Sequence, residues 1–205
     1  MGDIYVKRKV IYFCLLVCCI CLSCFDDLNG LYDDMNIEDH MYVLQPGPEG
    51  IDTYAGDTYT TTGDPNQVYL TVGGWGDSYY IWLMFNISSL PVNAVKAEIH
   101  IYCHSSVSGT LVSMNLDRIT SAWPETVGWA GQPSAVNISS IGAPVLYQWY
   151  IIDITSLYNG WKSSTYPNYG IRLRPTGTSN QFNRFYSSDY PDDPSLRPKL
   201  VVYTQ

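Results

Sequence analysis

Ala97-Glu98-Ile99-His100-Ile101-Tyr102-Cys103-His104 is the stretch that decides the fold class. Its apolar members Ala97, Ile99, Ile101 and Cys103 share one parity, and Glu98, His100, Tyr102 and His104 share the other. A period of two places each set on its own side of a pleated strand, one toward a core and one toward water. A helix would scatter Ile99 and Ile101 around its circumference. The same rhythm continues on both sides. Val68, Leu70 and Val72 point inward from a strand that closes on Gly73-Gly74. Ile81, Leu83 and Phe85 alternate with outward Tyr80, Trp82 and Met84, and later Ile171, Leu173, Leu200 and Val202 take the inward parity. Short alternating runs separated by Gly, Pro, Asn and Asp clusters read as an antiparallel sandwich.

One helix interrupts the strands. In Asp153-Ile154-Thr155-Ser156-Leu157-Tyr158-Asn159-Gly160-Trp161, Asp153 is placed to take up free backbone N–H groups at a helix start, and Leu157 and Trp161 lie four apart on one face. The fold class expected for residues 41–205 is therefore all-β: an antiparallel two-sheet jelly-roll-like β-sandwich with one short helix near 155–161. Ile81, Leu83, Phe85, Ile99, Ile101, Trp123, Trp161, Ile171, Leu173, Leu200 and Val202 are its expected core.

Upstream, Lys7-Arg8-Lys9 precedes an uncharged apolar run from Val10 to Leu22. The run is shorter than the roughly 20 residues a helical span needs, so residues 1–24 read as an export signal. Leu22-Ser23-Cys24 followed by Asp26 and Asp27 has the look of a lipoprotein cleavage site, making Cys24 the candidate lipidation residue. Residues 25–40, rich in Asp, Glu and Asn, read as an acidic spacer. The expected location is secreted or cell-surface, with any membrane attachment through the N-terminal anchor.

Losing Asp3 from the 19 acidic residues and Lys7, Arg8 and Lys9 from the 11 basic ones would take the formal charge from −8 to −10. That balance argues against nucleic acid and anionic membranes as partners. Of the 6 cysteines, Cys14, Cys18, Cys19, Cys21 and Cys24 crowd the apolar run and only Cys103 lies in the body of the chain. That is neither a disulfide framework nor a zinc pattern.

Catalytic chemistry finds little material. His100 and His104 share a strand face about 13 Å apart at ~3.3 Å per residue, too far for one metal ion. Ser139 and Ser140 have no His–Asp partners in the sequence pattern. Asp189, Asp192 and Asp193 crowd one loop broken by Pro191 and Pro194. That loop is the one candidate calcium site, with a solvated connection as the plainer reading. Trp123 and Trp129 bracket Glu125, and the pair reads first as large rings sealing one end of the sandwich, second as a sugar platform.

Over the domain the residues resemble the DNRLRE-domain family, β-sandwich modules akin to carbohydrate-binding module family 96. The motifs are Asp52-Thr53-Tyr54, Leu70-Thr71-Val72-Gly73, Phe85-Asn86-Ile87-Ser88-Ser89-Leu90-Pro91, Trp123-Pro124-Glu125-Thr126-Val127-Gly128-Trp129 with Pro133, Asp153-Ile154-Thr155 with Trp161, and Ser195-Leu196-Arg197-Pro198. The resemblance implies a non-catalytic accessory module of secreted or surface proteins that binds polysaccharides, including uronic-acid polymers. Tyr80 and Met84 stand where the family pattern has basic residues on the strand before Phe85, and Asn86 where it has Asp.

The candidate binding face follows from parity and charge. Tyr80 and Trp82 face outward with rings suited to sugar C–H surfaces, and Arg172, Arg174 and Arg184, with Tyr186, supply fixed donors and a further ring. Their use as one site requires that the strands adjoin. The expected function is recognition of an extracellular polysaccharide. The alternatives are a structural or adhesion domain that binds protein, and a polysaccharide lyase or hydrolase.

Overall fold

A computed structural model describes residues 5–8, 40–106, 110–177 and 180–205, the first of these segments by its backbone alone. Cys24 and most of the export and spacer segments lie outside the described residues. The strands are β1 (Tyr5–Arg8), β2 (His40–Leu44), β3 (Ile51–Gly56), β4 (Tyr69–Gly74), β5 (Tyr79–Met84), β6 (Lys96–Ser106), β7 (Met114–Ile119), β8 (Ala135–Ile141), β9 (Gln148–Asp153), β10 (Ile171–Pro175), β11 (Gln181–Tyr186) and β12 (Lys199–Thr204). Among the described residues one α-helix, α1 (Thr155–Lys162), stands with them.

Every pairing is antiparallel. One sheet runs β3-β5-β10-β7-β8. The other is organised on β6, which carries β9 along one edge and both β12 and β11 along the opposite edge, β12 beside Lys96–His100 and β11 beside Cys103–Ser106. β2 extends from β12 and β4 from β11, and β1 adds to β2. A single register pair, Gly73 with Tyr79, joins the sheets, so the ladder runs on as one curled surface.

The inner faces meet in one core. Ile81, Leu83, Ile171, Leu173, Met114 and Leu116 come from the first sheet, and Leu70, Ile99, Ile101, Phe185, Leu200 and Val202 from the second. The alternation thus assigns the inward parity correctly on these strands. Trp123, expected in the core, is half-buried instead, with its indole Nε1 donating to the Tyr169 carbonyl at 2.8 Å.

α1 seals the second sheet near the start of β6. Leu157, Tyr158 and Trp161 are buried, as the spacing of four requires. Asp153 Oδ1 accepts from the backbone N–H of Thr155 at 2.8 Å and from its hydroxyl at 2.7 Å, and Thr155 Oγ1 takes the Ala97 N–H at 3.0 Å. Helix start and central strand are therefore tied by one side chain.

A further layer covers the outer face of β5. Ala55, Trp82, Ile119 and Val127 form a second apolar cluster, with Tyr80, Trp123 and Tyr169 packed against it. The 120–134 segment is held there by the Thr62–Gly128 bridge, by the Gly63 N–H on the Val127 carbonyl at 2.8 Å, and by the Trp129 N–H on the Thr61 carbonyl at 2.8 Å. This corrects the expectation that Trp82 is exposed: the side chain is 0% exposed. Its parity is outward, yet the loop that carries Val127 lies over it, so β5 is buried on both sides from Ile81 to Leu83.

Candidate functional site

The outer face of the first sheet gathers four of the six expected binding residues. β10 lies beside β5, so Arg172 is the register partner of Trp82, and Arg174 follows two residues along the same side. On its other edge β10 pairs with β7, which sets Asp117 opposite Arg172. Asp117 is fully buried. Its Oδ2 accepts from Arg172 Nε at 2.9 Å, Arg172 Nη2 at 2.7 Å and Arg174 Nε at 2.8 Å, while Oδ1 accepts from Asn137 Nδ2 at 2.9 Å. Burial opposes its ionisation, but the hydrogen bonds from Asn137, Arg174 and Arg172 outweigh it and hold the carboxyl below the usual range.

Two guanidinium groups share one carboxylate, and among the described residues neither is in an ion pair with any other, so the pair keeps a net positive charge. Arg172 also donates to Gln132 Oε1 at 3.3 Å and lies over the Tyr80 ring, 5.4 Å from its centroid. Tyr80 in turn packs on Trp129 with ring centroids 4.6 Å apart. Arg174 is the more open of the two, its side chain 30% exposed against 15% for Arg172. Among the described residues its terminal nitrogens make no hydrogen bond, which leaves donors directed outward. Neighbouring polar side chains extend the strip, with Ser140 Oγ donating to Asn115 Oδ1 at 2.8 Å.

Trp129 joins this face although neither strand parity nor charge points to it. Of the two rings that bracket Glu125, Trp123 packs on the Trp82 cluster over the outer face of β5, not across a sandwich end, and Trp129 is set against Tyr80. Only the path of the 120–134 loop separates the two roles.

Arg184 and Tyr186 stand elsewhere, on the outer face of the second sheet. Tyr186 is stacked on Tyr190 at 3.7 Å, on His104 at 4.3 Å and on Tyr102 at 5.9 Å. Arg184 lies over Tyr69 and Phe182, each centroid 4.7 Å away. Lys199 sits 4.0 Å over Trp149 farther along. Burial, with Arg184 close by, holds the His104 imidazole below its ordinary range. The six residues therefore form two groups on opposite sheets.

The acidic loop is also divided. Asp193 caps a short 3-10 turn, accepting from Ser195 N at 3.0 Å and Ser195 Oγ at 2.6 Å, and Asp192 is exposed. Asp189 turns inward, where burial raises its carboxyl and Asp64 adds to the rise. There it acts on Asp52 and Glu125. Asp52 is pushed up to about 7, first by burial and then by the charges of Asp189 and Glu125 against the Ser188 N–H. Glu125 is raised by burial and by Asp189, and its Oε1 accepts the Asp52 N–H at 3.0 Å. His100 is held by Glu98 at 3.1 Å. Among the described residues no three carboxylate, imidazole or thiol groups gather at metal-binding distance.

Basic forks, a buried counter-ion and flanking rings make a face that can grip hydroxyls and carboxylates. No curated protein matches the chain. A family model does, over residues 48–204, which takes in the first sheet, the second from β4 to β12, the loop over Trp82 and the Arg172–Arg174 strip. The chain belongs to carbohydrate-binding module family 96.

Proposed function

We propose that the chain is a non-catalytic module that holds an extracellular polysaccharide on the outer face of its first sheet, through Tyr80, Trp129, Arg172 and Arg174. The observation that carries this reading is the double Arg fork on Asp117. It fixes two guanidinium planes without neutralising both, beside a pair of aromatic rings. Aromatic surface gives sugar C–H faces a partner, and pre-positioned guanidinium donors meet hydroxyls or a uronic carboxylate at little cost in ordering. Arg184 and Tyr186 are not part of this surface.

Affinity electrophoresis against neutral glucans and uronic-acid polymers tests it. Arg174→Ala and Tyr80→Ala are expected to release the retained polymer, the first at unchanged thermal midpoint and the second at a lowered one because Tyr80 packs on the Trp82 cluster, and the Arg effect fades with salt if the polymer is acidic. Retention by both variants equal to the parent defeats the assignment. The purified chain is expected to release no reducing ends and no unsaturated sugar from the polymer it retains; either product would identify a hydrolase or lyase.

A protein-binding role has one observation in its favour. Around the stacked rings of the second sheet, Ile151 and Tyr147 are 51% and 69% exposed. Export on residues 1–24 with acylation at Cys24 completes the proposal, and mass spectrometry of the mature N-terminus decides it.

A further inference from the structure

We propose that the buried oxygens of Asp52, Ser188 and Asp189 form a calcium site that locks the start of β3 to the turn after β11. Three buried oxygen atoms have no hydrogen-bond partner among the described residues. Asp52 Oδ2 accepts the Ser188 N–H at 3.0 Å, while Oδ1 is buried without a hydrogen-bond partner among the described residues. Asp52 is 1% exposed and Ser188 0%. The Ser188 hydroxyl is likewise buried and unpartnered, close enough to the Asp52 carboxyl to favour its anion but without the alignment of a hydrogen bond. Asp189 Oδ2 is a third such atom. Native interiors almost always satisfy buried polar atoms, so three together from two adjoining segments call for a missing partner.

Charge gives that partner its sign. Asp189 and Glu125 both act on the Asp52 carboxyl, Glu125 Oε1 also takes the Asp52 N–H, and among the described residues none of the three is in an ion pair. Arg197, the cation that acts on Asp189, gives its Nε to the Tyr190 carbonyl at 2.8 Å. The donors are all oxygen, with neither imidazole nor thiol, which suits a hard cation and not zinc. Two carboxylates and a hydroxyl fall short of a full set. Calcium completes such sets with backbone carbonyls and water, at 6–8 ligands in flexible geometry.

The backbone is built for close approach. A Cβ on Gly50 would stand 2.6 Å from the Ser188 hydroxyl and 3.1 Å from the Gly47 carbonyl. Only glycine lets the 47–50 turn close over this hydroxyl.

Calcium titration of the EDTA-treated full chain by calorimetry, without sugar, tests the site. One ion per chain is expected, with a dissociation constant between roughly 10⁻⁵ and 10⁻³ M. Saturating calcium should raise the thermal midpoint by about 5 °C, and magnesium at equal concentration by far less. Asp52→Asn is expected to abolish binding. Because that change lies in the core, Asp189→Asn and Ser188→Ala are run beside it, each weakening calcium at least about tenfold. No heat and no shift overturns the proposal, as does calcium binding that survives both Asp189→Asn and Ser188→Ala. Neither outcome bears on sugar retention, which is measured separately.

Discussion

Arg172 and Trp82 are register partners across the β10–β5 pair, with Trp82 wholly enclosed and Arg172 still reaching the surface. The same sheet face thus has two depths. The 120–134 loop buries its β5 end and leaves the β10–β7 end open, so the ring beneath serves the fold and the guanidinium beside it serves the site.

Trp82→Ala is therefore expected to destabilise the domain by about 3–5 kcal/mol, as the loss of a fully buried large ring does. Urea denaturation measures it. Trp82→Phe should recover much of that loss, and a variant as stable as the parent would contradict the enclosure of this ring.

Asp117→Ala leaves two guanidinium groups without their shared acceptor. A cost of about 1–3 kcal/mol is expected, below that of a fully buried pair because both Arg side chains retain contact with water. The same variant should lose sugar retention, since Arg174 no longer has a fixed orientation. Asp117 has its folded carboxyl held below the unfolded one. Its contribution is thus present above about pH 4 and is lost as pH falls through the folded value. Comparing acid unfolding of parent and Asp117→Asn checks the sign.

Asp52 has the opposite sign. Its folded carboxyl titrates near 7 against an ordinary 3.8, so the folded chain holds the proton more tightly. In calcium-free buffer the Asp52 contribution to stability should be greatest below about pH 4, fall as pH rises to about 7, and level off above it. The Asp52→Asn chain should lack this component, and the parent-minus-variant difference from denaturant titrations at a series of pH values isolates it.

Gly170 has φ +80°, and a Cβ there would lie 2.2 Å from the Leu83 carbonyl. Gly170→Ala is expected to cost at least about 2 kcal/mol through strain and displacement of β10 from β5. Because β10 carries both site Arg residues, sugar retention should fall with it. A stable, fully retentive variant would refute this.

Legibility in the sequence divides along physical lines. Leu173, Ile99 and Leu200 could be placed because inward parity depends only on a strand's own pleat. Trp82 and Trp129 could not, because what covers an outward residue depends on a loop distant in sequence. The split of Arg172 and Arg174 from Arg184 depends on strand order, which parity does not encode. The pairing of Asp189 with Asp52 across the molecule was equally hidden, and the Asp189–Asp193 cluster suggested a neighbourhood that the turn breaks apart.

Cys103 sits in the middle of β6, flanked by β9 on one side and β11 on the other, with no exposed area and its thiol pushed up to about 11 by burial. Alkylating reagents act on the accessible thiolate, and the folded domain presents neither access nor anion there. Labelling of this one sulfur, followed by mass on its own peptide, is consequently a clock for the opening of the central strand. It reads how often the sheets part, with no probe added to the protein.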